Sequence, residues 1–201
     1  MRVRYRGFQT INMTPIWVLL GVNFIVFIAA LINEARITSL LGLMPATFLD
    51  EPWTIVTSMF VHAGMWHIIF NMLMLYFFGS YFLGLVGESK FLIVYFVGGL
   101  AGNVLFMLIG PSATLIGASG ALYALMGTLA VMRPKLKVLL YFLIPVDLWI
   151  VVIFASLIMI PMARDATRQG TIAWEAHLGG LVAGLVAGYY FRRRERGAFR
   201  R

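Results

Sequence analysis

The chain has 201 residues, 61% of them hydrophobic and 12% charged, with a mean hydropathy of +0.90, whereas an ordinary soluble domain carries about 25% charged residues. That balance excludes a water-soluble globular fold, intrinsic disorder and a coiled coil, and marks a membrane protein. The absence of cysteine excludes disulfide frameworks, thiolate nucleophiles and cysteine-ligated zinc or iron.

A spanning helix needs about 20 largely apolar residues. Apolar runs lie at 16–32, 65–86, 90–110, 118–132, 147–163 and 174–191, which predicts a bundle of six transmembrane helices, all-α, with no soluble domain beside it. The first run follows Arg2, Arg4 and Arg6 as a signal peptide would, but it is long for one and no small-residue cleavage site follows, so it reads as a retained first helix. The connection 33–64 holds short apolar patches (Leu40, Leu41, Leu43, Met44, then Phe48, Trp53, Ile55, Val56) broken by Pro45 and Pro52; it reads as a structured loop in the outer interface. No internal repeat supports a transporter built of matching halves.

Placing alternate connections on alternate sides puts Arg2, Arg4, Arg6, Lys90, Arg133, Lys135, Lys137, Arg192, Arg193, Arg194, Arg196, Arg200 and Arg201 together. Only Arg36, Arg164 and Arg168 of the 16 basic residues fall on the other side. The positive-inside rule then makes both termini cytoplasmic, in a cell membrane. The net charge of +8 reads as a topology signal that also meets anionic lipid, and nucleic acid is not expected as a partner.

Polar groups inside spans are costly, and His67, Asn71, Ser119 and His177 stand out. At about 1.5 Å per residue, Ser119 lies ~21 Å above Arg133, His177 ~22 Å above Arg192, and Asn71 ~24 Å above Gly87. In a hydrocarbon core about 30 Å thick, the three share one layer beneath the outer surface. Ser119 sits in Gly117-Ala118-Ser119-Gly120-Ala121 after Gly110-Pro111, a pattern that predicts the start of a short helix, where free backbone donors suit a developing oxyanion. Gly180, Gly184 and Gly188 follow His177 on one helical face. They predict close approach to the fourth span and contact between His177 and Ser119.

A serine needs a base to become a nucleophile, and imidazole serves near neutral pH. Glu175 points away from His177 by about 200° around the helix, so a dyad is expected rather than a triad. Tyr123, one turn after Ser119, is placed to orient the imidazole. His67 and Asn71 share a face and can both donate to an oxyanion. His62 lies about 140° around a helix from His67, which argues against a shared metal site; it is expected to be interfacial or water-holding. Gly98, Gly99 and Gly102 read as packing, and Asn103 has no assigned role.

Taken together, His62-Ala-Gly-Met-Trp-His67-Ile-Ile-Phe-Asn71, Gly117-Ala-Ser-Gly-Ala121 with Tyr123, and Ala176-His177-Leu-Gly-Gly180 followed by Gly184 resemble the rhomboid intramembrane serine proteases. The resemblance runs from Pro52-Trp53 to Gly188. It implies a six-helix protease domain over 16–191 between cytoplasmic tails at 1–15 and 192–201. Ser119 would be the nucleophile and His177 the base, with His67, Asn71, Ser119 and Gly120 at the oxyanion hole. It further implies single-pass membrane proteins as substrates, entry between the second and fifth spans under a lid near 163–173, and no cofactor or metal. Thr54 after Trp53, and Leu83, depart from residues common in the family (arginine and glutamate); neither lies in the catalytic layer. A catalytically silent helix-binding relative, or a small channel using the three histidines, would carry the same apolar framework.

Overall fold

The computed structural model describes residues 11–110, 113–140, 143–163 and 173–198. Helix α1 (Thr14–Ile32) opens with Pro15 in its first turn, where a missing N–H costs nothing. Asn33 ends it and caps α2 (Glu34–Leu41), its side chain accepting from Arg36 N. The connection 33–64 continues through α3 (Thr54–Thr57) and a 3-10 turn, Ser58–Phe60. It is stitched to α2 by Trp53 Nε1 donating to Leu40 O at 3.0 Å and Thr57 Oγ1 to Leu41 O at 2.8 Å.

The second long helix, Met65–Val86, comprises α4 (Met65–Met74), a π-helical turn at Leu75–Gly79 and α5 (Ser80–Val86). The π turn has no sequence signature and was not anticipated. Next come α6 (Glu88–Ile109) and α7 (Ser119–Met132), then α8 (Leu148–Ala163) and α9 (Trp174–Ala198). Thus, among the described residues, helices of 14 residues or more occupy each of the six apolar runs. By length and composition α1, Met65–Val86 and α6 can each cross a membrane. Helix α7, with 14 residues, is only ~21 Å long and begins beneath the outer face if its other end reaches the inner one. Between α7 and α8 a hairpin of β1 (Lys137–Leu140) and β2 (Ile144–Asp147) pairs Lys137 with Asp147. Their side chains bond at 2.8 Å, which holds the exposed Asp147 carboxyl below its usual range.

Helix α7 is the hub, buried without a break from Gly120 to Leu129. In a bilayer such packing rests on close van der Waals fit and interhelical hydrogen bonds rather than water exclusion. The fit against α9 is backbone on backbone. A methyl on Gly180 would overlap the Gly120 carbonyl, and one on Gly184 would stand 2.7 Å from Ala124 Cα. Thr128 Oγ1 donates across the seam to Gly184 O at 2.9 Å. The predicted glycine face therefore meets the predicted partner. At the far end α9 stays helical past Arg192 rather than ending there. Arg192 donates to Val131 O at 3.1 Å, and Arg133 pairs with Glu195 at 2.9 Å. Of the expected lid, residues 164–172 lie outside the described residues, as do Arg2, Arg4, Arg6, Pro111, Arg200 and Arg201.

Candidate active site

Gly117 has φ +117°, a left-handed conformation that side chains resist, and it turns the chain so that α7 starts two residues later. The helical ladder opens with Leu122 N donating to Ala118 O at 3.1 Å. The N–H groups of Ser119, Gly120 and Ala121 therefore lie ahead of it at the positive end of the helix dipole. No side chain caps this end.

His177 stands opposite, its Nε2 2.6 Å from Ser119 Oγ. The sequence placed both at one depth on different helices, and the fold brings them into contact. Two close approaches make this reach possible: the Ala176 carbonyl is 3.2 Å from where a Gly120 methyl would lie, and a methyl on Gly102 would overlap it. The Tyr123 ring stacks on His177 with centroids 4.5 Å apart and planes 10° from parallel, while its hydroxyl bonds Ser156 of α8.

His67 lies over Gly117, with Nε2 2.8 Å from the place a side chain would take. Asn71 is buried one turn below, its Nδ2 donating to His67 O at 2.8 Å and its Oδ1 unpaired. Both line the site, and the bond to His67 O takes one of the two N–H donors of the Asn71 amide and leaves the other. His62 is buried within the protein, only 1% exposed. Its Nε2 accepts from Ala118 N at 3.4 Å, and its ring meets His67 edge-on at 4.9 Å. Burial, with His67 adjacent, pushes its pKa down to about 3, which keeps it a neutral acceptor.

Two residues that the sequence left without a role enter the same assembly. Asn103 Nδ2 donates to Ile55 O at 2.6 Å and to Ser58 Oγ at 3.1 Å, and Ser58 O accepts from Gly117 N at 2.8 Å. Asparagine in an apolar span was the visible signal; its partner on a loop 45 residues earlier was not. Beside the dyad a cavity of about 920 Å³ is walled by Trp66, Phe70 and Met74 of α4, Leu122 and Met126 of α7, and Val152 and Ala155 of α8, with Glu34 and Glu175 also on its lining. Among the described residues no three His, Asp or Glu side chains converge as metal ligands do.

This arrangement pairs a nucleophile-competent hydroxyl with a base, backbone donors and an apolar trough large enough for an extended peptide. The family model for the Rhomboid domain matches residues 49–194. Among curated relatives, Rhomboid protein 1, mitochondrial, of Saccharomyces cerevisiae is 30% identical over 194 residues, covering 91% of this chain and 55% of that protein. Rhomboid-like protease 3 of Toxoplasma gondii is 29% identical over 153 residues (74% and 55%). Rhomboid protease GluP of Bacillus subtilis is 27% identical over 149 residues (74% and 28%). The chain thus spans about half the length of the first two, and less of the third.

Proposed function

We propose that this chain, which belongs to the rhomboid family, is an intramembrane serine endopeptidase that cuts single-pass membrane proteins within or beside their transmembrane segments. The observation that carries the reading is the 2.6 Å approach of His177 Nε2 to Ser119 Oγ at the start of a buried helix.

In the proposed reaction the substrate backbone lies extended in the cavity, entering between the second span and α8, because a helical peptide bond is shielded by its own turns. Ser119 Oγ attacks the carbonyl carbon as its proton passes to His177 Nε2. The Ser119 and Gly120 N–H groups, joined by His67 and by the second N–H of the Asn71 amide, hold the oxyanion. A preorganised donor of this kind contributes about 10²–10³ in rate. Collapse of the intermediate breaks the C–N bond, and the leaving nitrogen takes the proton from His177. Water, deprotonated by the same imidazole, then frees the acyl chain from Ser119.

The test is cleavage of a tagged single-pass substrate with a helix-weakened outer segment by purified protein in liposomes, beside Ser119→Ala and His177→Ala. Cleavage by the parent alone is expected. A folded parent as inactive as both variants, yet still binding the substrates, would favour a catalytically silent helix-binding protein.

Residence in a cell membrane with both termini cytoplasmic belongs to the same proposal, supported by the charge distribution. Since the chain has no cysteine, single cysteines at Arg36 and Lys135 should react with an impermeant thiol reagent from opposite faces of intact cells, Arg36→Cys from outside. Labelling of both from one face overturns this topology.

A further inference from the structure

We infer that Asn103 is a positioning residue for the oxyanion-binding turn, acting through Ser58; the inference rests on the proteolytic reading above. The backbone from Leu115 to Ala118 that delivers Ser119 has no regular structure of its own, so its peptide groups are held from outside. Leu115 is bridged to Leu43 by two bonds of 3.0 and 2.7 Å, Gly117 N donates to Ser58 O at 2.8 Å, and Ala118 N donates to His62 Nε2 at 3.4 Å. Gly117 is the residue that sets the left-handed turn, and its amide is fixed by one acceptor, the Ser58 carbonyl.

Ser58 lies in a short 3-10 turn, an element too small to hold itself rigid. Its backbone is bonded within the turn, Ser58 N–H to Thr54 O and Val61 N to Ser58 O at 3.3 Å, and the tie to the rest of the fold comes from Asn103, projecting from α6 with its amide shared between Ile55 O at 2.6 Å and Ser58 Oγ at 3.1 Å. Asn103 and Ser58 are 4% and 1% exposed, so water does not replace a lost bond at low cost. The path from α6 through Asn103, Ser58 and Gly117 is continuous, and it ends two residues from the nucleophile. Helix α6 also carries Gly102, which admits the Ala176 carbonyl beside His177. Adjacent residues of one helix thereby set the position of the base from one side and of the oxyanion turn from the other. A donor misplaced by a few tenths of an ångström loses more of its interaction with the oxyanion than with the ground-state carbonyl, so such a residue acts on kcat and leaves substrate binding in the cavity alone.

The experiment measures kcat and KM for a transmembrane substrate in liposomes, with thermal melting of the same preparations, for the parent, Asn103→Leu, Ser58→Ala and the double variant. Asn103→Leu keeps the branching at Cγ and removes the donor. It is expected to lower kcat about 10- to 100-fold with KM within about twofold. Ser58→Ala leaves its carbonyl and the Ile55 bond in place, and is expected to lower kcat about 3- to 10-fold, with the double variant no worse than Asn103→Leu. An unchanged kcat, a rise in KM alone, multiplied effects in the double variant, or a kcat loss matched by the loss of folded protein would overturn the inference. If Asn103→Leu does not fold, Ser58→Ala decides alone by the same criteria. A parent that cleaves nothing would instead overturn the proteolytic reading itself.

Discussion

The ring of Tyr123 lies flat against that of His177, with planes 10° apart, while its hydroxyl is held by Ser156 on α8. The imidazole is therefore held in orientation by an aromatic face. Tyr123→Ala removes the face and should lower kcat about 10- to 100-fold, the scale of a misoriented base. Tyr123→Phe keeps it and should lose less than about fivefold. Steady-state kinetics on both variants checks this, and equal losses would mean that the hydroxyl matters more than the stacking.

The seam between α7 and α9 gives a second expectation. Gly184→Leu inserts a branched side chain where even a methyl would meet Ala124 Cα at 2.7 Å, and overpacking of this kind costs about 1–3 kcal/mol or more. A lowered melting temperature and lost cleavage are expected together. Gly21→Ala on α1 has nothing within 4 Å and should leave melting unchanged or raise it, by up to about 1 kcal/mol. If both melted alike, the seam would not be what holds the two helices.

His62 supplies a pH dependence. Its imidazole, held neutral down to about 3, takes a proton in the unfolded chain below about 6.5. Its contribution to stability is complete above about 6.5 and is lost as pH falls through the interval to about 3. Melting temperature should therefore drop over that interval, and the slope should be shallower in His62→Gln. An unaltered slope would place the acid sensitivity on other groups.

The Arg133 to Glu195 pair is expected to matter little to folding. Its side chains are 33% and 39% exposed, and exposed pairs contribute about 0–1 kcal/mol. Glu195→Gln should shift melting by no more than that, and less in high salt. A larger, salt-independent shift would mean that the pair is shielded in the membrane-bound protein.

Sequence reading reached the helices and the contact between Ser119 and His177 for one reason: in a chain that crosses a membrane, residue number converts to depth at a fixed rise per residue. Ser119 and His177 are 58 residues apart, yet counting from Arg133 and Arg192 put them in one layer, and the glycine periodicity of α9 named the partner helix. Where depth gave no constraint the sequence was silent. The stretch Lys137 to Asp147 reads as an apolar run with no Asn-Gly or Gly-Gly turn, and its pairing into a hairpin depends on cross-strand register. His62 lies in a non-helical loop, where a helical angle says nothing of its surroundings, and its hydrogen-bond partner is Ala118, a residue 56 positions away. Asn103 announced itself as polar, but its acceptors belong to a loop whose path no periodicity encodes.

The glycine seam divides the molecule into parts of different stiffness. Backbone laid on backbone has no side-chain rotamers through which to slide, so α7 and α9 tilt as one body, and nucleophile and base keep their separation when the bilayer thins, thickens or bends. Helix α8 contains no glycine and meets the cavity through Val151, Val152 and Ala155, contacts that a change of rotamer or a small tilt can open. Room in the cavity can then be made at α8 without disturbing Ser119 and His177; if the proposed proteolysis holds, a lipid environment that alters how often the cavity opens changes turnover while leaving the geometry of that pair untouched.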